Sequence, residues 1–229
     1  MSLKVSIHQP HYLPWAPYFY KIITSDVFVF LDDTQFDRGD FQHRNYVGTS
    51  VKNRTLLTIP IKHSGRLVTL NKAEFANDFW EKKHLKTIQN IFCHEEYFKD
   101  VFPIVKKSLY YPASNLAEFN INFIKNISDY LDINTVLIRS SKIKSSHKKE
   151  DKLIDILKKL GAKSYLTGEE SFNNYLHKNK FNKRNISLIK LVYPLNCPLS
   201  KDSILDILFS KSPQEVIKII KSGGKEILC

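Results

Sequence analysis

The first thirty or so residues most constrain the fold, because they predict a β-α-β unit. Leu3 to Ile7 is a short apolar run, and Val27 to Leu31 is a continuous apolar run of the kind that parallel strands buried on both faces show. Between them, Trp15 to Thr24 carries apolar residues at helical spacing. A strand, a helix and a second strand in this order form a β-α-β unit. The chain therefore begins as an α/β protein.

The remaining sequence extends this pattern. Alternating strands and helices predict a single α/β domain over residues 1–229, with a mostly parallel sheet, flanking helices and a helical insert at roughly 75–131. Arg54 to Ile61 and Leu67 to Leu70 predict a β-hairpin with Gly65 in its turn. The other predicted elements are helices over Asp78 to Phe92, Tyr97 to Leu109, Asn115 to Leu131, Lys152 to Leu160, Glu169 to Leu176, Ser203 to Ser210 and Pro213 to Lys221, and strands over Val136 to Arg139, Ala162 to Gly168 and Ile186 to Val192.

The loop after the first strand has an unusual composition. His8 to Lys21, here called the histidine loop, contains two histidines, three prolines, a tryptophan and three tyrosines. Ordinary loops are built from Gly, Asn, Ser and Asp, whereas this one is stiff, bulky and titratable near neutral pH. Such a loop is suited to shaping a pocket. The alternative is that Trp15, Tyr18 and Phe19 are core residues of the first helix and that the histidines are incidental.

A second polar stretch follows the second strand. Asp32 to Asn45, here called the polar segment, is dense in carboxylates, arginines and amides. In open α/β sheets ligands bind outside the carboxyl ends of the strands, so the histidine loop and the polar segment are expected to face each other at that edge. Paired carboxylates there suit Mg²⁺ or sugar hydroxyls, and arginines suit phosphate or carboxylate. The alternative is an ordinary polar surface loop.

Charge and cysteine content narrow the function classes. The formal net charge of +12 and the pI near 9.4 favour anionic partners, such as nucleotides or phosphorylated sugars. The lysines are scattered and not interleaved with stacking aromatics, so nucleic acid is not the favoured partner. Three cysteines without CxxC spacing predict a reducing, cytoplasmic setting and no zinc ribbon. No apolar run is long enough to span a bilayer, and no signal-peptide pattern begins the chain.

Beyond these patterns, six parts of the sequence carry a family resemblance. They are Lys4 to Trp15 with Tyr18-Phe19, Asp26 to Phe36, Phe41 to Asn45, Leu57 to Ile61, Tyr165 to Gly168 with Tyr175-Leu176, and Ser203 to Phe209. These stretches resemble the WbqC-like family, which is often encoded in bacterial surface-polysaccharide clusters, and the run from His8 to Trp15 is the most specific of them. The sequence departs from the family pattern at Ala16-Pro17, where a glycine is usual, and at Glu169-Glu170-Ser171, where the turn is usually richer in glycine.

The resemblance implies a role in modifying amino-deoxy sugars for O-antigen or related glycans, with attachment of an aminoacyl group such as glycyl to a sugar amine. A second, looser resemblance is to the nucleotidylyltransferase and pantothenate-synthetase group. It rests on the first strand, on His8 and His11 of the histidine loop, and on the polar segment after the second strand. Proteins of that group bind ATP phosphates with such histidines, and the synthetase joins a carboxylate to an amine. We therefore expect a nucleotide-linked amino sugar and a small carboxylic or amino acid as partners, with ATP and Mg²⁺ as candidate cofactors.

Candidate roles follow from this expected chemistry. His8 and His11 would stabilise phosphate charge in the transition state, and Asp33 would be an alternative base for the attacking amine. Asp32 would join Asp33 in binding Mg²⁺ or sugar hydroxyls. The remaining candidates are Tyr12 and Trp15 for stacking on a base or sugar ring, Arg38 and Arg44 for holding an anion, Gln9, Gln35 and Asn45 for polar contacts, and Gly168 for a turn whose backbone amides face the ligand.

Three alternative functions stay open at this level. An acyl donor–dependent N-acyltransferase or a glycosyltransferase would use the same nucleotide-sugar pocket. A basic nucleotide- or RNA-binding module would not be an enzyme at all, and its binding to oligonucleotides would depend steeply on salt.

Overall fold

A computed structural model describes residues 3–50, 53–62, 68–193 and 203–229. It confirms the α/β class, with a central sheet, a separate antiparallel hairpin and helices packed around them. The strands are β1 Lys4–His8, β2 Val27–Phe30, β3 Arg44–Ser50, β4 Asn53–Thr58, β5 Val136–Arg139, β6 Ser164–Gly168, β7 Ser187–Val192 and β8 Lys225–Leu228.

The helices mostly follow the predicted periodic segments. In the part of the chain that the structure describes, none of them has the length and apolar character needed to cross a membrane. They are α1 Ala16–Ile23, α2 Trp80–Phe92, α3 Phe98–Leu109, α4 Leu116–Tyr130, α5 Ser140–Ile143, α6 Lys149–Lys159, α7 Glu169–Tyr175, α8 Lys178–Asn182, α9 Leu205–Leu208 and α10 Pro213–Gly223, with a 3-10 helix at Leu70–Lys72.

The central sheet has the strand order β5-β2-β1-β6-β7-β8 among the described residues. β1 pairs in parallel with β2 on one side and with β6 on the other. β5 and β7 extend the parallel arrangement outward, and β8 closes one edge antiparallel to β7. The chain therefore builds one half of the sheet before it crosses β1 to build the other half. This reversal opens a crevice at the carboxyl ends of β1 and β6, where ligands bind in such sheets.

Apolar side chains bury both faces of the sheet. In β2, Phe28 and Phe30 join the larger cluster, which also contains residues of α1, α4 and α10, whereas Val29 joins the smaller cluster with residues of α6. Alternate residues of a strand point to opposite faces, so a strand covered on both sides must be apolar throughout. This explains the unbroken apolar run from which β2 was predicted.

The hairpin is present, but its predicted pairing is wrong. β4 pairs with β3, in a register that places Arg44 opposite Thr58. The predicted partner strand was Leu67 to Leu70. Of its described residues, Val68 and Thr69 instead lead into the 3-10 helix that begins at Leu70, and Thr69 bridges Gln35. The predicted turn at Gly65 lies outside the described residues. The apolar pattern predicted the wrong partner because β3 has a largely polar sequence and was not recognised as a strand. Strand pairing is decided by packing and not by composition alone.

The helical insert, α2 to α4, holds the loops at the carboxyl edge of the sheet. Asn120 of α4 is fully buried, and its Nδ2 donates to the carbonyl oxygens of Pro10 at 2.9 Å and Gln42 at 2.7 Å. One amide thus ties the histidine loop to the polar segment. The organisation of residues 1–229 as a single domain stays a prediction.

Replacement of Asn120 by Ala tests this tie. We expect Asn120→Ala to lower the free energy of unfolding by about 2–4 kcal/mol, because two buried carbonyls lose their donor. The matched control is Asn122→Ala on the same helix, where the side chain is half-buried and accepts a single hydrogen bond from Asn126. Urea unfolding measures both variants. Equal losses of stability would contradict the tie.

Candidate functional site

Two neighbouring cavities open at the carboxyl edge of the sheet, in the crevice beside β1 and β6. The first, of about 820 Å³, is lined by the two histidines of the histidine loop and is called the histidine cavity. The second, of about 760 Å³, is lined by Lys148, Lys149, Lys152 and Lys180 and is called the lysine cavity. Both cavities share His8, Gln9, Ser171 and Tyr175 in their walls.

His8 and His11 lie edge to face, with ring centroids 4.6 Å apart, and Tyr18 packs 4.9 Å from His8. The Nδ1 of His8 lies 3.0 Å from the carbonyl oxygen of Gln9. A carbonyl oxygen only accepts hydrogen bonds, so Nδ1 carries the proton and Nε2 is the acceptor of the neutral ring. His11 is only 5% exposed, and its Nε2 has no hydrogen-bond partner within the described chain.

Both imidazoles are neutral at physiological pH. Burial lowers the pKa of His8 well below 6.5, and the nearby charges of Lys21 and His11 lower it further, against the hydrogen bond to Gln9. Burial also lowers the pKa of His11 to about 4, although the negative charge of Asp40 partly opposes the shift and Lys21 adds to it. The site therefore presents unprotonated nitrogen atoms, which accept hydrogen bonds and protons.

Lys21 is a buried cation behind the histidines that the sequence did not single out. It is 4% exposed, and its Nζ lies 5.6 Å from the ring centroid of Tyr18, on the helix that follows the histidines. It forms no ion pair with any residue that the structure describes, and burial lowers its pKa from 10.5 to about 7. Fully buried lysines are rare unless they are paired. Lys21 lies three residues after Tyr18, on the apolar face of α1, and this spacing could have predicted its burial from the sequence.

Gln9 and Trp15 are the predicted binding residues that the cavity wall retains from the histidine loop. The side chain of Gln9 donates to Thr34 Oγ1 at 3.1 Å and accepts from Gln42 Nε2 at 2.9 Å, so it locks two segments together. The ring of Trp15 stands edge to face with Phe41, at 4.9 Å between centroids. Gln35 also lines the histidine cavity and is exposed.

Asp32 and Asp33 do not fit the predicted Mg²⁺ site. Asp32 is fully buried and accepts from Arg139 Nε at 2.7 Å and from Ser141 N at 2.9 Å. Burial alone would raise the pKa of Asp32, but the hydrogen bonds from Ser141 and Arg139 outweigh burial and lower it. Asp33 pairs with Lys152, with 2.7 Å between Oδ1 and Nζ. The protein's own cations and donors occupy both carboxylates, and the described residues include no group of three His, Cys, Asp or Glu placed around one metal position.

Tyr12 and Asn45 lie in the core and not in the cavities. Tyr12 is fully buried, with its hydroxyl 2.8 Å from Nδ1 of His84, so it offers no ring face to a ligand. Asn45 is fully buried in β3 and donates from Nδ2 to the carbonyl oxygen of Leu13 at 2.6 Å. Both residues therefore hold the histidine loop against the core.

The two predicted anion-binding arginines point to backbone carbonyls. Arg38 donates from Nη2 to the carbonyl oxygens of Ile61 and Lys62 at 3.3 and 3.2 Å, and Arg44 donates to that of Gly39 at 2.6 Å. Neither arginine lines either cavity, and neither does Gly168, which ends β6 and precedes α7. Their contacts shape the polar segment.

Several wall residues of the histidine cavity were not among the sequence candidates. Tyr175, at the end of α7, is 66% exposed and lines both cavities, so its ring is available for stacking. Glu170 and Ser171 precede it on the same short helix, and Asp40 faces them from the polar segment. The available signal was Tyr165-Leu166-Thr167-Gly168, since a helix that follows a strand at the switch point contributes to the crevice.

This fold defines an α/β protein with a two-part cleft at the reversal of its sheet. The sequence pattern of the WbqC-like protein family matches residues 9–218, and the chain belongs to that family. It is 26% identical over 188 residues to the uncharacterized protein Rv1507c of Mycobacterium tuberculosis, an alignment that covers 80% of this chain and 79% of that protein. No solved structure matches the chain.

Burial of Lys21 predicts that the free energy of unfolding depends on pH. The unfolded chain holds this proton up to about pH 10.5 and the folded chain releases it near pH 7, so stability rises with pH across that window. We expect Lys21→Met to stabilise the protein at pH 6.5 and this advantage to shrink by roughly 3 kcal/mol by pH 9.5. Urea unfolding at both pH values measures it. Lys125→Met, at an exposed position on α4, is the control with no such dependence, and a pH-independent effect of Lys21→Met would refute the assignment.

Proposed function

We propose that this protein is an enzyme of bacterial polysaccharide biosynthesis that joins a small carboxylic or amino acid to the amine of a nucleotide-linked amino sugar. The observation that carries the proposal is the unpaired Nε2 of His11, buried in the wall of a cavity at the switch point of the sheet. Membership in the WbqC-like family supports the setting. A neutral buried imidazole is the group that amide formation needs, because the attacking nitrogen must lose a proton.

In this reaction the amine nitrogen attacks the carbonyl carbon of the activated acid. The new C–N bond forms, the bond from that carbon to the leaving group breaks with its electron pair, and the nitrogen proton passes to His11 Nε2. Nitrogen becomes strongly acidic once it has attacked, so a base of low pKa is sufficient. His8, packed against His11, would donate or accept at the acyl oxygen or leaving group.

The lysine cavity supports a nucleotide as the second part of the substrate. Lys148 and Lys149 are exposed at the N-terminus of α6, a location that favours phosphate groups. Lys152 lines the same cavity and is held by Asp33. Tyr175 stands between the two cavities, where its ring would stack on a base or sugar. ATP would supply the activation of the carboxylate in the ligase form of this reaction, and acyl-CoA would replace it in the transferase form.

Product mass distinguishes these forms. The protein is incubated with an amino-sugar nucleotide and either ATP with glycine or an acyl-CoA, and the gain in mass identifies the group transferred. A gain equal to a glycyl residue supports the ligase form, whereas an acyl gain that requires acyl-CoA supports the transferase form. A product with an added sugar would identify a glycosyltransferase and overturn the proposal.

Replacement of His11 by Gln tests the base. We expect His11→Gln to lower the rate of product formation by about 10²–10⁴-fold, the usual contribution of a general base. We expect His8→Ala to abolish the modification while circular dichroism shows the fold intact. His94→Gln is the matched control, because His94 is exposed beyond the end of α2. Full activity of His11→Gln would sink the proposed mechanism.

A further inference from the structure

The histidine cavity is acidic although the whole chain is strongly basic. The chain has a net charge of +12, yet Asp37, Asp40 and Glu170 all lie in the wall of this cavity. Among the described residues that form the wall, there is no lysine or arginine. A cavity of this charge attracts a cationic group and repels a phosphate.

The three carboxylates differ in how much hydrogen-bond accepting capacity remains for a ligand. Asp37 accepts from the backbone N–H of Gly39 at 2.7 Å and serves its own turn. Asp40 uses Oδ1 to accept from Phe41 N at 2.7 Å, whereas its Oδ2 accepts only a long hydrogen bond of 3.5 Å from Gln42 Nε2 among the described residues. Glu170 is exposed and forms no ion pair with any described residue. Asp40 Oδ2 and Glu170 therefore keep accepting capacity.

Beside Asp40 lies the unpartnered nitrogen of His11. The distance from His11 Nε2 to Asp40 Oδ2 is 3.9 Å, which is too long for a hydrogen bond. Nε2 is fully shielded and has no partner among the described residues, which costs free energy unless a ligand supplies a donor. The other titratable groups facing this ring are His8 and Tyr18, with the charge of Lys21 behind them.

We propose that the His11–Asp40 end of the histidine cavity is a subsite for a primary ammonium group. One N–H of the ammonium would be donated to Asp40 Oδ2, while Glu170 adds a second negative charge from the side of α7. Another N–H would be donated to His11 Nε2 once the ring turns this shielded atom toward the ligand. Before the attack the ammonium must release one proton, through Asp40 Oδ2 to water, because only the uncharged amine has a lone pair. This inference rests on the proposed function and deepens it, because it assigns the sugar amine to the histidine cavity and the nucleotide phosphates to the lysine cavity.

Two other occupants fit less well. A divalent cation needs several oxygen ligands around one point, and the described residues provide no such group. An anion would meet three carboxylates and two neutral imidazoles. An ammonium has three N–H donors on one atom, and this matches two acceptors that are separated by 3.9 Å.

Glucosamine and glucose provide a matched pair of probes, since they differ in one amine. The full chain, labelled with ¹⁵N, is titrated with each sugar while the histidine imidazole signals are followed by NMR at pH 7. We expect glucosamine to shift and saturate the His11 signals and glucose to leave them unchanged. Asp40→Asn should weaken glucosamine binding about tenfold, because a charged acceptor is lost, whereas Asp129→Asn, an exposed position on α4, should leave binding unchanged.

A second variant keeps the test decisive if Asp40→Asn disturbs the polar segment. Glu170→Gln lies on a different element and should weaken glucosamine binding about twofold to fivefold, as expected for an exposed charge. Equal shifts by glucose and glucosamine, or glucosamine binding unaffected in both variants, would overturn the subsite. Selective binding of glucosamine without any product in the mass assay would refute the proposed function alone, and product formation without amine selectivity would refute the subsite alone.

Discussion

The parallel pairing of β1 with strands on both of its sides is the constraint on which the rest of the structure depends. Val5 stands opposite Val27 in β2 and opposite Tyr165 in β6, so the three strands end at one edge. Because β2 leads outward on one side and β6 on the other, the loops that follow β1 and β6 diverge. The cleft is the space that this divergence leaves, and the histidine loop and α7 form its walls.

The loops around the cleft are ordered by buried hydrogen bonds more than by local propensity. Asn120 links the histidine loop to the polar segment from the helical insert, and Gln9 of the loop bonds directly to Thr34 and Gln42 of the polar segment. Buried polar atoms normally have partners, and these contacts satisfy most of the groups in their path. His11 Nε2 has no partner among the described residues, and the same is true of His43 Nδ1 and Asn120 Oδ1 nearby. Of these three residues only His11 belongs to the wall of the histidine cavity, and this position is the reason to regard its Nε2 as a ligand-facing group.

The buried charged side chains have different roles, some within the fold and others beside the cleft. Asp32 is held by Arg139 and Ser141, and its lowered pKa reflects stabilising contacts within the fold. Lys21 shows the opposite behaviour, because it is buried without an anion and its charge disfavours protonation of the two histidines. Neutral imidazoles beside the open carboxylate of Asp40 give the cleft a basic and negatively charged end, which the net charge of the chain conceals.

The sequence by itself determined the β-α-β start, the periodic helices α2 to α4 and the position of the histidine loop at the carboxyl edge, since apolar spacing depends on residues close in the chain. Tertiary structure alone decided which polar side chains face the cleft. Asp32 is paired with Arg139, which lies 107 positions away in the sequence, whereas Asp40 Oδ2 accepts only a long hydrogen bond from Gln42 among the described residues. Tyr12 is buried by the helical insert, and Tyr175 takes the exposed place in the wall. The short elements β3, β8, α5 and α8 escaped prediction for the same reason: long-range packing, and not local pattern, stabilises them.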